Sequence, residues 1–139
     1  MSKHGRHAIK AAAKVLFFSF LLTMTPAVAS HGTELVTCSY LKSSGPEIQL
    51  EIRIASPPPA SLIIIQNIPG GIDIVSSSPE INKFNKKQGE AKWLLKGISP
   101  GNLILSLTLN PPIAPGQING ELRYKNPTDG SMVRMPIRP

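Results

Sequence analysis

Cys38 is the only cysteine of the chain, and what chemistry it can do depends on its companions. Nucleophilic catalysis needs a base within reach of the thiol, and downstream of Ala29 the only histidine is His31. Cys38 lies in Leu35-Val36-Thr37-Cys38-Ser39-Tyr40, a strand-like setting in which a small thiol packs as an apolar group. In an oxidising compartment the same residue is a candidate for an intermolecular disulfide. One Cys and one His are too few for a zinc site. The chain also lacks C-x-x-C, C-x-x-C-H, G-x-S-x-G, a phosphate-cradling glycine loop and EF-hand spacing of acids. Glu47 and Glu51 are the nearest approach to a carboxylate pair, but even spacing on a strand puts both on its solvated face. The sequence therefore predicts no enzyme, no catalytic residue, no metal and no cofactor.

Lys83, Lys86, Lys87, Lys92 and Lys96 form the one concentrated charge cluster. Gathered on one edge, they offer a partner-binding surface for an acidic protein, an anionic polysaccharide or lipid head groups. The alternative is solubility and protection of a sheet edge, for which lysine is well suited. Trp93 could serve as a sugar platform, yet alternation in Ala91-Lys92-Trp93-Leu94-Leu95 makes it a core residue of a central strand, and Tyr124 reads the same way. Asp129-Gly130 signals a tight turn.

The elements that must position these residues begin after a leader. Lys3, Arg6, Lys10 and Lys14 precede the apolar run Val15–Leu22, and Ala27-Val28-Ala29 follows, the pattern of a secretory signal peptide over residues 1–29. Lys14 and Pro26 bracket only 11 residues, against about 20 for a spanning helix, so cleavage after Ala29 is predicted and no transmembrane segment persists. The chain has 139 residues and a formal charge of +7; without the leader the balance is 11 basic against 8 acidic side chains, or +3. Export, this modest charge and few stacking aromatics argue against nucleic acid.

From Glu47 to Ile54 apolar and polar residues alternate strictly, which defines a strand with Ile48, Leu50, Ile52 and Ile54 on its buried face. Seven more candidates follow the same logic: 34–40, 61–66, 72–76, 90–96, 103–109, 118–125 and 131–137. Breakers separate them, among them Pro57-Pro58-Pro59, Pro69-Gly70-Gly71, Pro111-Pro112 and Pro127 to Gly130. Leu62-Ile63-Ile64-Ile65 is apolar without alternation and predicts a strand covered on both faces or flanked by a packed loop. The irregular stretch 77–89 is expected to cross from one sheet to the other. Residues 30–46 are read as an N-terminal segment with the first strand, and 47–139 as the body of the same domain.

The succession Ile68-Pro69-Gly70-Gly71-Ile72, Trp93-Leu94-Leu95, and Pro115-Gly116-Gln117-Ile118-Asn119-Gly120-Glu121-Leu122-Arg123-Tyr124 resembles bacterial and archaeal extracellular immunoglobulin-like β-sandwich modules, including those of S-layer and adhesion proteins. The resemblance runs from about Glu47 to Ile137. This copy departs from them in standing alone behind its own leader, and it lacks the paired Cys of disulfide-linked immunoglobulin domains. It implies an all-β, immunoglobulin-like sandwich of about 7–8 antiparallel strands and carries over no catalytic residue. The resulting expectation is an exported, non-enzymatic accessory protein of the bacterial cell envelope, periplasmic or at the cell surface, acting through contacts with an envelope or extracellular protein. The alternative is a small carbohydrate-binding module for cell-surface or extracellular polysaccharide.

Overall fold

The computed structural model describes residues 34–139; the leader expected over residues 1–29, its cleavage after Ala29 and His31 lie outside them. Among the described residues there are nine strands and no helix: β1 Val36–Lys42, β2 Gly45–Ile54, β3 Ser61–Asn67, β4 Asp73–Ser78, β5 Lys83–Asn85, β6 Glu90–Lys96, β7 Gly101–Ile113, β8 Asn119–Lys125 and β9 Met132–Ile137. They form two sheets, in the orders β1-β2-β7-β4 and β5-β6-β3-β8-β9, and every pairing is antiparallel. The protein is an all-β sandwich.

Its core follows directly from the alternation. Register sets Ile48, Leu50 and Ile52 of β2 beside Leu107, Leu105 and Leu103 of β7 on one inner face. On the other, Ile64 of β3 stands between Trp93 of β6 and Leu122 of β8. Four large aliphatics fully buried from β2 alone contribute about 6–12 kcal/mol before chain entropy is set against them. Polar links also cross the interior, among them the Tyr40 hydroxyl on β1, which donates to Gln66 Oε1 on β3 at 2.5 Å. Gln66 is wholly buried and lies over Gly120, where a Cβ would overlap both the Ile65 carbonyl and the Gln66 amide.

Several details differ from the sequence reading. The structure has nine strands rather than seven or eight, because β5 forms inside the stretch expected to be irregular. Its three residues owe their strand to the free edge of β6, with Phe84 opposite Ala91. The crossing itself is where it was expected, since β4 lies in one sheet and β5 in the other. The second difference is that β7 does not stop at Leu109 but runs through Pro111-Pro112 to Ile113. Beyond Asn110 β4 has ended, and the β2 register slips between Glu47 and Gly45, so neither proline is asked for a ladder donor. Smaller shifts are that β2 begins at Gly45 and β7 at Gly101, each two residues ahead of the expected start, and that β1 runs over 36–42 rather than 34–40.

Candidate functional site

Alternation fixes which charges share a surface. With Ala91 and Trp93 turned inward, Lys92, Leu94 and Lys96 of β6 point outward, and the same rule turns Ile63 and Ile65 of β3 and Glu121, Arg123 and Lys125 of β8 to that outer face. Cross-strand register arranges them in rows. One row reads Lys83, Lys92, Ile65, Glu121, Pro136; the next reads Leu94, Ile63, Arg123, Arg134. At about 4.8 Å between strands, the five-stranded face is about 19 Å across.

The outer face of this sheet thus carries Lys83, Lys92, Lys96, Arg123, Lys125 and Arg134 against only Glu90 and Glu121. Arg123 is paired with Glu121 on its own strand, which holds the Glu121 carboxyl below the usual range. None of the ion pairs among the described residues involves Lys83, Lys92, Lys96, Lys125 or Arg134. The cations border an aliphatic strip of Leu94 and Ile63, with Leu94 38% exposed. Ile65 also points outward yet is 6% exposed, set between Lys92 and Glu121, whose stems flank it. That placement accounts for the unbroken apolar run of β3.

Two of the cross-strand neighbours are like-charged: Lys83 faces Lys92, and Arg123 faces Arg134. Such pairs directly opposite one another are destabilising. The outer face of the other sheet differs in kind. It is rich in Ser, Thr, Asn and Gln, and its carboxylates are neutralised locally: Glu47 by Lys42 at 3.1 Å, Glu51 by Arg53 at 2.9 Å, and Asp73 by Lys86 at 2.6 Å. Charge is therefore concentrated on one side of the sandwich.

Of the lysines singled out in the sequence, Lys83, Lys92 and Lys96 lie on the cationic face. Lys86 and Lys87 lie in the β5–β6 turn, and Lys86 is engaged with Asp73. Sequence reasoning missed Arg123, Lys125 and Arg134, whose strands reach this face only through pairing across β3 and β8. Alternation within 118–125 and 131–137 was the available signal, and it lacked a strand order.

Trp93 is 0% exposed, and its Nε1 donates to Ser77 Oγ at 3.2 Å and to the Pro79 carbonyl at 3.1 Å, so no ring face is open to a sugar. Tyr124 is likewise core. Glu47 and Glu51 are outward on β2 and ion-paired as above. Asp129 closes a turn by accepting from the Ser131 amide and hydroxyl, which holds its carboxyl below the usual range. Among the described residues no group of three or more His, Cys, Asp and Glu converges to hold a metal ion, and no helix is long and apolar enough to cross a membrane.

Cys38 points inward from β1 and is half-buried; burial pushes its thiol up to about 12. The thiol is protonated at neutral pH, and thiolate is the reactive form. Labelling of the native protein by a thiol reagent at pH 8 is expected to run about 100- to 1,000-fold slower than labelling of the unfolded chain. Equal rates would show that the thiol is not shielded. Because the folded value is raised, the contribution of this group to stability is complete below the unfolded pKa, and it is lost as pH climbs toward the folded one.

No protein-family model and no curated protein matches the chain.

Proposed function

We propose that the chain is an exported, non-enzymatic binding protein of the bacterial cell envelope, of the immunoglobulin-like type, that holds an acidic partner protein on the outer face of the five-stranded sheet. The observation that carries this reading is the pair of like-charged rungs, Lys83 with Lys92 and Arg123 with Arg134, on one surface. Solubility calls for scattered charge of both signs, whereas the unpaired Lys83–Lys92 rung costs stability in the free protein, the Arg123–Arg134 rung is only partly offset by Glu121, and an anionic ligand relieves both. The exposed Leu94 and half-buried Ile63 between them favour a protein surface over a polysaccharide, which offers few aliphatic groups to match. The secretory leader pattern supports the envelope setting.

The test couples stability to binding. Lys83→Gln should raise the stability of the free protein by about 0.2–1 kcal/mol at low salt, whereas Arg134→Gln, which also gives up an attraction to Glu121, should change it by no more than about 0.5 kcal/mol. Both should weaken salt-sensitive capture of a stoichiometric partner in pull-downs from native envelopes read by mass spectrometry. Loss of stability in Lys83→Gln, or capture of the partner by the variants as good as the parent's, would overturn the assignment. Retention of an anionic polysaccharide in place of a protein would transfer the site to the carbohydrate reading.

A further inference from the structure

Among the described residues the sandwich has four free edges, and each must be kept from pairing with other chains. β5 is three residues long; β4 is broken by a register slip that throws Val75 outward, 64% exposed. On β9 the Ser131 carbonyl accepts from the Asn126 amide of the β8 side, so alternate residues Met132, Arg134 and Pro136 turn their backbone groups to the free edge. Proline there withholds a donor. β1 has its own slip between Tyr40 and Lys42, but residues 36–40 ahead of it pair regularly with β2 and hold no proline and no charge.

The Ala55 amide donates to the Leu35 carbonyl at 2.7 Å, which fixes the phase of the β1–β2 ladder. Residues 35, 37 and 39 face β2, and the N–H and C=O groups of Val36, Cys38 and Tyr40 face away from it. β9 lies near β1 but hydrogen-bonds to β8.

We infer that this edge pairs with the same edge of a second copy, antiparallel about a two-fold axis at Cys38, making one continuous eight-stranded sheet. The occupant follows from the residues themselves, because the segment is chemically symmetric about that point. Val36 meets Tyr40 of the second copy and Thr37 meets Ser39. Apolar faces apolar and hydroxyl faces hydroxyl. Val36, Cys38 and Tyr40 of the two copies exchange about six ladder hydrogen bonds. The axis is perpendicular to the sheet, so the two cationic faces point the same way.

The test uses charges placed on the exposed side of β1, where Thr37 faces Arg53 and Ser39 faces Glu51 of β2, so the stability of each variant is measured beside its association. Thr37→Glu with Ser39→Glu sets like charges opposite one another twice across the axis, whereas Thr37→Glu with Ser39→Lys sets opposite charges there. Sedimentation equilibrium of the full chain, as the cell produces it, should show a dimer. The first variant should weaken it by about 10- to 100-fold relative to the second. Hydrogen exchange at the amides of Val36, Cys38 and Tyr40 should slow as concentration rises. A monomer up to millimolar concentration, a dimer indifferent to these variants, or exchange at those amides independent of concentration would each overturn the inference.

Discussion

Trp93→Ala is expected to destabilise the protein by about 3–5 kcal/mol. That is a large part of the 5–15 kcal/mol available to a domain of this kind. The ring is wholly buried at the centre of β6 and lies opposite Ile64 of β3. Its Nε1 also reaches Ser77 on β4 and the carbonyl of Pro79, so the indole joins the sheet containing β4 to the sheet that contains it. Truncation opens a cavity and removes the donor from both acceptors. Trp93→Phe keeps most of the ring and loses only the donor, and should cost markedly less. Urea unfolding followed by circular dichroism measures both, since Trp93 is the only tryptophan and its fluorescence disappears with it. Equal losses in the two variants would place the energy in the hydrogen bonds, and a small loss in both would contradict the packing described above.

The second large effect is expected at Gly89, where Gly89→Ala should cost about 3–5 kcal/mol. This residue has φ +69°, a conformation that side chains disfavour, and a Cβ would overlap the carbonyl oxygen of Ile68. Its backbone is engaged on both sides, its amide donating to Asn85 and its carbonyl accepting from Ile68, each at 2.8 Å. The Gly71 amide donates to Lys86 alongside at 3.0 Å, so the β5–β6 turn is sewn to the β3–β4 connection and cannot step back. Gly97→Ala provides the comparison: φ is +61°, but nothing lies within 4 Å of the added methyl, so only the backbone penalty of about 1–2 kcal/mol applies. If the two substitutions cost the same in urea unfolding followed by Trp93 fluorescence, the overlap at Gly89 is being relieved without consequence.

Much of this architecture is legible in the residues, because a strand with one buried face writes its period into the chain. Ile48 to Ile54, Trp93 and Tyr124 are read correctly on that ground. β5 is not, since three residues with one apolar side chain carry no period, and its existence depends on an edge supplied by β6. The extension of β7 through Pro111-Pro112 is hidden for a related reason: whether a proline breaks a strand depends on which neighbours still require its donor. The cationic face is half legible. Lys83, Lys92 and Lys96 are near one another in sequence, but Arg123 and Arg134 join them through pairings that span the sandwich. Like-charge rungs are a property of register, and register is set by strand partners rather than by local composition.

The order of the strands also governs how the chain comes together in time. Both central ladders join distant segments: β2 to β7, with Glu47 opposite Thr108, and β3 to β8, with Leu62 opposite Tyr124. Loops of that length must close before either ladder returns any energy, and topologies of this kind fold in milliseconds to seconds rather than microseconds. Until β8 arrives, Leu62-Ile63-Ile64-Ile65 is a β-prone apolar segment without charge or proline, the composition that nucleates cross-β assembly. The adjoining Pro57-Pro58-Pro59 and the outward lysines of β6 then act as kinetic gatekeepers, keeping newly made chains apart during the interval in which their central strand is unshielded.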